Sequence, residues 1–420
     1  MLVKANLRKS VKTIYLCSIA TLVLKTRHKS CTSTLPTSFT KSKIMTEINT
    51  QEQFDKHVIV RRNDGLKFIN FVDFKFNIDL TLKDGIHSVR FLNCTFNDKF
   101  IFKTTVSESA NFENCIFNST ADFSNSTFNE KVKVRFYKSK FLGLTKFDNT
   151  TFSDLADFWG VLFKQKIIFY KTDFLGTVVF STTKFQENVL FTYSLIDKLV
   201  IFRGTYFEKG LDLSLAIISG ELSPFDIKIK DYDSKDNVEN EELYEEYISN
   251  DAIIVQKNKR ETFRILKRHF LNQHNSIDYL KFAALEQKTY SSELTKKVFS
   301  KKPDRKAIQN YIILKLNFIS SNHGKSYLRA ILFTLLVGLM FFYFSIIATE
   351  KFYFSFKEMS LEGFYKSVKY YFTFLTPTHK ISFMDAEKPK TFFYVWNFIG
   401  RIFISYGIFQ TIQAFRKFKK

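Results

Sequence analysis

The sequence predicts a four-sided β-solenoid, then an α-helical connector, then two transmembrane helices. Three observations carry that reading: Phe residues recur at steps alternating between five and six, a small or β-branched residue precedes most of them at a fixed offset, and two long C-terminal runs are nearly free of charge.

The chain has 420 residues, 51 of them Phe. That length accommodates two or three domains, and so many rings need a regular place to be buried. From Phe136 the series runs Phe141, Phe147, Phe152, Phe158, Phe163, Phe169, Phe174, Phe180, Phe185 and Phe191, so the period is eleven. Phe112, Phe117, Phe123 and Phe128 form a second block, and Phe91, Phe96 and Phe102 a third. A helix cannot present this pattern on one face, because five residues advance about 500°. A flat strand of period two does not produce it either. A wall that turns a corner every five or six residues does, with one ring sent inward per side. The residue two before each ring supports this, since Ala110, Cys115, Ala121, Ser126, Ser139, Thr150 and Ala156 are all small or β-branched. Four sides make a coil of about 22 residues, stacked at about 4.8 Å.

Segments such as 110–128, ANFENCIFNSTADFSNSTF, resemble the Phe-rich variant of the pentapeptide repeat. The resemblance covers roughly Phe91 to Leu213 and implies a right-handed quadrilateral β-helix whose rings are core and carry no chemistry. The eight-residue step from Phe128 to Phe136 and the ten-residue step from Phe102 to Phe112 depart from the pattern. They predict bulges or loops that interrupt the helix. The resulting domain scheme is a basic extension over 1–44, a cap or lead-in over 45–90, the β-helix over 91–220, the helical connector over 221–322 and the membrane domain over 323–420.

The net charge is +22, yet residues 91–220 carry 15 Lys/Arg against 13 Asp/Glu. This near-neutral surface argues against nucleic acid as a partner and against the acidic DNA mimicry that some pentapeptide-repeat proteins are known for. The charge gathers elsewhere: the first 46 residues hold nine Lys/Arg and no acid. There Thr13–Leu24 is an apolar run behind Lys4, Arg8, Lys9 and Lys12, similar to a signal peptide but short for a span. Three readings stay open for this stretch: an over-extended start with Met45 as the true first residue, a targeting segment, or an extra anchor. Four cysteines (Cys17, Cys31, Cys94 and Cys115) without metal-ligand spacing predict a reducing compartment and no disulfide framework. His269 and His274 lie five apart, on poorly matched helical faces, so no metal or other cofactor is expected.

Past Gly220, apolar residues fall at helical spacing, predicting helices over 251–272, 277–296 and 305–318. Glu286 is read as a solvated or interface carboxylate. No nucleophile–base, metal-protease or phosphate-loop motif is present, so an enzyme is not expected.

Ala330–Thr349 is twenty residues without a charge, about 30 Å as a helix. Thr391–Phe415 is equally apolar but holds Asn397, Arg401, Gln410 and Gln413. A mid-span Arg is costly unless it faces another helix, a pore or, by snorkelling, the interface. Between the runs, an aromatic half-helix within 364–382 leads to the turn Thr376, Pro377, Thr378, His379 and Lys380. The layout is similar to two-helix potassium-type channels, but the turn lacks the glycines a carbonyl filter needs, so potassium selectivity is not implied. The C-terminal segment also resembles bacterial pentapeptide-repeat membrane proteins with a channel-like domain. Candidate pore residues are Thr376, Pro377, Thr378, His379 and Arg401. Lys and Arg flank the outer ends of both runs, which predicts a cytoplasmic repeat domain and cytoplasmic termini.

The expected function is a multi-pass membrane scaffold binding a protein partner on the solenoid sides; the alternative is a homo-oligomeric, channel-like protein. A fragment from Met45 to Asn322 is expected to be soluble and β-rich by circular dichroism, whereas the whole chain should need detergent. Extraction of the whole chain without detergent would remove the membrane assignment.

Overall fold

The structure, a computed structural model, describes residues 45–416 except Asp84, Asp231, Asp233, 301–303 and 351–360. The basic extension with Cys17 and Cys31, and the flanking Lys301, Lys302, Lys417, Lys419 and Lys420, lie outside the described residues.

The repeat forms a β-solenoid of about seven turns with parallel strands. On the first side Phe141, Phe163, Phe185 and Phe207 stand in register in successive coils, a repeat of 22 residues. Phe147 and Phe169 line the second side, Phe152 and Phe174 the third, and Phe136, Phe158 and Phe180 the fourth. Their rings stack along each side, from 5.0 Å between Phe158 and Phe180 to 5.6 Å between Phe147 and Phe169. The predicted core rings from Phe141 to Phe185 are all buried. Each therefore contributes the burial of a whole aromatic side chain plus offset stacking.

The two step lengths are two kinds of corner. In the five-residue steps the second residue after the ring takes left-handed backbone geometry: Lys138, Asn149, Gly160, Lys171, Thr182 and Gly204. The chain closes there in a turn, with the amide of Val161 donating to the Phe158 carbonyl at 3.2 Å. The next inward residue in the following coil then donates to the same carbonyl: Thr183 Oγ1 at 2.6 Å from Phe158 O. Thr205 does the same to Phe180, Thr172 to Phe147, Thr150 to Phe123 and Ser139 to Phe112. This is why hydroxyls fill most of the small positions on the first and third sides, with Cys115 and Val161 as exceptions on the first, while Ala156, Val178 and Val200 fill it on the fourth. A buried hydroxyl is costly without a partner, and these corners supply one to each of the five; Ser194, at the same position on the third side, is buried with its Oγ unpaired. The six-residue corners run so close to the coil before that a Cβ on Gly143 or Gly176 would overlap the carbonyl of Ser119 or Asp154.

The first irregular step contains an expected bulge, a register shift between Ile86 and Ser88 opposite Val106 and Ser109, but the solenoid continues through both steps, correcting the expectation that they interrupt it. Val106 stands opposite Phe128 and fills the missing ring position. The extra residues before Phe136 are taken up in a corner turn through Lys131, after which Val134 pairs with Ala110 and Ala156. Parallel pairing also reaches beyond 91–220 on both sides. Phe71 and Phe76 already occupy ring positions beneath Phe91 and Phe96, and Ile229 pairs with Phe207 in the last coil.

Both ends of the stack are closed. At the start, helix α1 (Gln51–Asp55) sets Phe54 over Phe71, ring centroids 5.0 Å apart. At the other end the connector closes the coil. Its first helix, α2 (Glu241–Glu246), and the turn after it lie along the second side, where Tyr244, Ile248 and Ile254 cover the outward-facing Ile168 and Leu190. Thr192 Oγ1 donates to the Ile248 carbonyl at 2.8 Å, and Asn188 Nδ2 to that of Ala252 at 3.0 Å. Helix α3 (Gln256–Asn272) then crosses the open end, packing Phe263, Leu266 and Phe270 on the core. It begins later than the predicted 251 because the chain from Ala252 to Val255 is not helical: Ile254 packs tightly on Gly210, and Val255 is extended and bridges Lys235. The buried carboxylate of Asp212 accepts from Asn258 Nδ2 at 2.9 Å and Thr262 Oγ1 at 3.3 Å. Helix α4 (Ser276–Val298) packs on α3, where Glu286 ion-pairs with Lys267. Helix α5 (Arg305–Ser321) follows.

Phe158→Ala is expected to lose about 3–5 kcal/mol, and Phe158→Asp to abolish folding. Thr183→Val should cost about 1 kcal/mol through the lost bond to Phe158. Gly176→Ala should destabilise, whereas Lys164→Ala should do little. Chemical denaturation of the purified protein checks the series, and an unchanged midpoint for Phe158→Ala would overturn the inward assignment.

Candidate functional site: the turn between the two long helices

Among the described residues two helices are long and apolar enough to cross a membrane, α6 (Tyr327–Ile347) and, after α7 (Leu361–Phe374), α8 (Thr391–Phe415). They pack antiparallel. Tyr327 stacks on Phe415 at one end, and Thr349 bridges Pro389 at the other. Close approach depends on small residues: a Cβ on Gly407 would overlap Thr334.

Helix α7 enters the groove between them. A Cβ on Gly338 would lie 2.5 Å from Leu375, and one on Gly400 2.7 Å from the Phe374 ring. Gly338 is nine residues before the end of α6, which places the C-terminal end of α7 about 14 Å along the helix from that end. The chain therefore descends to the middle of the two long helices, turns through 375–380, and returns through the short helical stretch Ile381–Glu387. Tyr371 OH holds α7 to α6 by donating to the Leu335 carbonyl at 2.8 Å.

The turn is anchored through His379, which is buried. Its Nδ1 lies 2.6 Å from the Thr376 carbonyl, which can only accept, so Nδ1 carries the proton. Nε2 is then the acceptor for Asn397 Nδ2 at 3.0 Å. Arg401 donates from a terminal nitrogen to the His379 carbonyl at 2.7 Å, so its guanidinium meets protein backbone inside the groove. Its Nε is buried without a partner. The structure thus gathers Thr376, His379 and Arg401 into one knot, while Thr378 is exposed and Pro377 half-buried at its edge. Nearby, Glu387 is buried and accepts from Lys366 Nζ at 2.5 Å and Tyr370 OH at 3.3 Å.

A second knot ties α5 to α8. Asn317 Oδ1 accepts from Tyr406 OH and Gln410 Nε2, each at 2.9 Å, and Ser321 Oγ donates to Gln410 Oε1 at 2.7 Å. Sequence reasoning singled out Asn397 and Gln410 as polar interruptions of a span but assigned them no partners. Glu387, Gly338, Gly400 and Gly407 were missed; the three glycines, lone small residues in apolar runs, were the available signal.

Among the described residues no group of three or more His, Cys, Asp or Glu is placed to hold a metal ion. Cys94 and Cys115 are buried free thiols in the solenoid. The molecule is of the class of β-solenoids joined to helices of which two can cross a membrane. No family model matches the chain, and no curated protein or solved structure matches it either. The likeness to pentapeptide repeats therefore rests on the registered residues themselves.

The His379–Asn397 contact is testable by a double-mutant cycle. His379→Phe and Asn397→Leu should each lower the thermal midpoint of the detergent-solubilised protein. Together they should cost less than the sum of the two, by about 0.5–3 kcal/mol. Strict additivity would show that the two side chains do not act together.

Proposed function

We propose that this chain is a membrane-anchored solenoid scaffold without enzymatic activity, which presents the free sides of its coil to a protein partner. The observation that supports it is an unbroken line of packing from coil to long helices. Helix α3 closes the last coil, α4 packs on α3, α5 on α4, and Asn317 and Ser321 bond α8. With α6 and α8 in a bilayer, the solenoid is held at one membrane surface, and the Lys/Arg flanks favour the cytoplasmic one. The second side is partly occupied by the connector, which leaves the first, third and fourth for a partner. Exposed apolar residues on the last coil, Ile217 at 57% and Phe225 at 67%, are the natural contact points. A near-neutral coil surface favours a protein over nucleic acid.

A photo-crosslinking residue at Ile217 or Phe225, in native membranes, should give one discrete adduct; at Leu190, beneath the connector, it should give none. Absence of adducts from every free side would sink the scaffold reading.

A second reading, an ion-conducting homo-oligomer, is favoured by the depth of the turn. Thr376, Thr378 and Lys380 are exposed at the level where α6 and α8 are half-crossed. Irregular backbone at that depth of a bilayer is tolerated only inside protein or against water. Copies arranged around the turn would provide both. Introduced as cysteines, Thr376 and Thr378 should react poorly with bulky impermeant thiol reagents, and Asp385 readily from outside the cell. Arg401→Leu in planar bilayers should alter conductance or ion preference. Silent membranes for both proteins, across voltage and tension, would exclude conduction.

A further inference from the structure

Helix α3 covers the rings of the last coil but leaves part of its strand edge unpaired. In the coil below, the carbonyls of Ser194, Ile196 and Lys198 accept from the amides of Ile217, Ser219 and Glu221 at 2.8, 3.0 and 2.6 Å. One coil later the equivalent carbonyls are those of Ala216, Ile218 and Gly220. Among the described residues neither an amide nor a side chain donates to them. This stretch turns the corner from the third side to the fourth, where Glu221 pairs with Leu199 and Ser223 with Ile201. It ends at Pro224, which takes the place of Phe202 one coil earlier. The Phe202 amide donates to the Ser223 carbonyl at 2.8 Å, and a proline in that place has no amide to leave unpaired.

The three open carbonyls belong to residues lining a cleft of about 670 Å³ between the last coil and the C-terminal half of α3, which contributes Ile265, Arg268 and His269. His269 Nε2 is buried without a hydrogen-bond partner. Arg268 is exposed and makes no ion pair among the described residues. On the outer face of the same edge Ile217 is 57% exposed, directly above Leu195 of the coil below. Main-chain acceptors at strand spacing call for the amides of another extended chain. A strand laid there follows the alternation of the coil. One of its side chains lies beside Ile217, and the next turns inward over Ile218, as Ile218 lies over Ile196. Arg268 favours an acidic residue in that segment.

We propose that an extended segment of a partner protein pairs with the edge 216–222 as one more strand, its amides donating to the carbonyls of Ala216, Ile218 and Gly220 and an acidic side chain meeting Arg268. This rests on the scaffold reading and deepens it by naming how a partner is held. Main-chain bonds give the affinity, while Ile217, Ile218 and Arg268 select the sequence. The partner thus continues the coil on the one part of this corner where neither the connector nor a proline closes it.

The probe is a capped peptide with the sequence of residues 195–201, LIDKLVI, the segment that lies one coil below the open edge. Laid in the same register, its first, third and fifth amides meet the three carbonyls, and it carries an acid. With a fluorescent label at its C-terminus, it should bind the detergent-solubilised whole chain saturably. Methylation of its third and fifth amide nitrogens should weaken binding by about tenfold or more. Ile217→Glu and Arg268→Glu, both at exposed positions, should each weaken it while leaving the thermal midpoint of the protein unchanged. No saturable binding, or equal binding of the methylated peptide, would overturn the strand site. In native membranes, excess peptide should suppress the adduct formed from a photo-crosslinking residue at Ile217. An adduct of undiminished yield would overturn this proposal and leave the scaffold reading in place. So would an adduct with a second copy of this chain, which would then hold the edge itself. The absence of adducts from every free side removes the scaffold reading, and this seat with it.

Discussion

The structure depends on one recurrent interaction: a Phe carbonyl at a five-residue corner that accepts both its own turn amide and a hydroxyl from the next coil. Phe158 is the complete case, bonded by Val161 N and Thr183 Oγ1. The corner directs the ring inward, and the hydroxyl fills the space beside it without leaving a buried polar atom unpaired. Where the small position holds Val161, the Phe136 carbonyl keeps its turn bond from Ser139 and the pattern survives. Interior volume is therefore the stricter requirement. One ring and one small side chain per side fill it, and every coil repeats the same packing on its neighbour.

Such a stack has no intrinsic end, and an uncovered last coil would offer unpaired strand edges and bare rings. The chain resolves this differently at its two ends. Phe54 on a single helical turn suffices at the start. At the other end the connector covers the second side and then crosses the opening. The carboxylate of Asp212, held by Asn258 and Thr262, fixes α3 in place at the centre of that closure. The helical connector is thus the part that turns a repeat into a bounded domain, and α4 and α5 extend the packing to the long helices.

In the long helices the polar side chains make specific bonds. Asn397 and Arg401 secure the turn after α7, while Gln410 secures the end of α5. Glycines at 338, 400 and 407 set how closely the neighbouring elements approach. A short helix reaching half-way between two longer ones needs both devices, because a turn in that position has carbonyls to satisfy and little room for side chains.

The sequence by itself determined the solenoid, its period and its inward rings, because a narrow core repeats the same residue classes at the same spacing. It determined the two long apolar helices as well, since length and the absence of charge are local properties. Other features were decided only in three dimensions. The continuity of the coil through Phe102–Phe112 depends on Val106 meeting Phe128, a contact between residues in different coils. The left-handed corners at Lys138, Lys171 and Thr182 carry residues with no local preference for that geometry, so stacking imposed it. The partners of His379, Asn397 and Arg401 come from segments up to 22 residues apart, brought together by the packing of α7 against glycines. Periodic burial is written in the order of residues; pairing between distant polar groups arises only when the elements that carry them have packed.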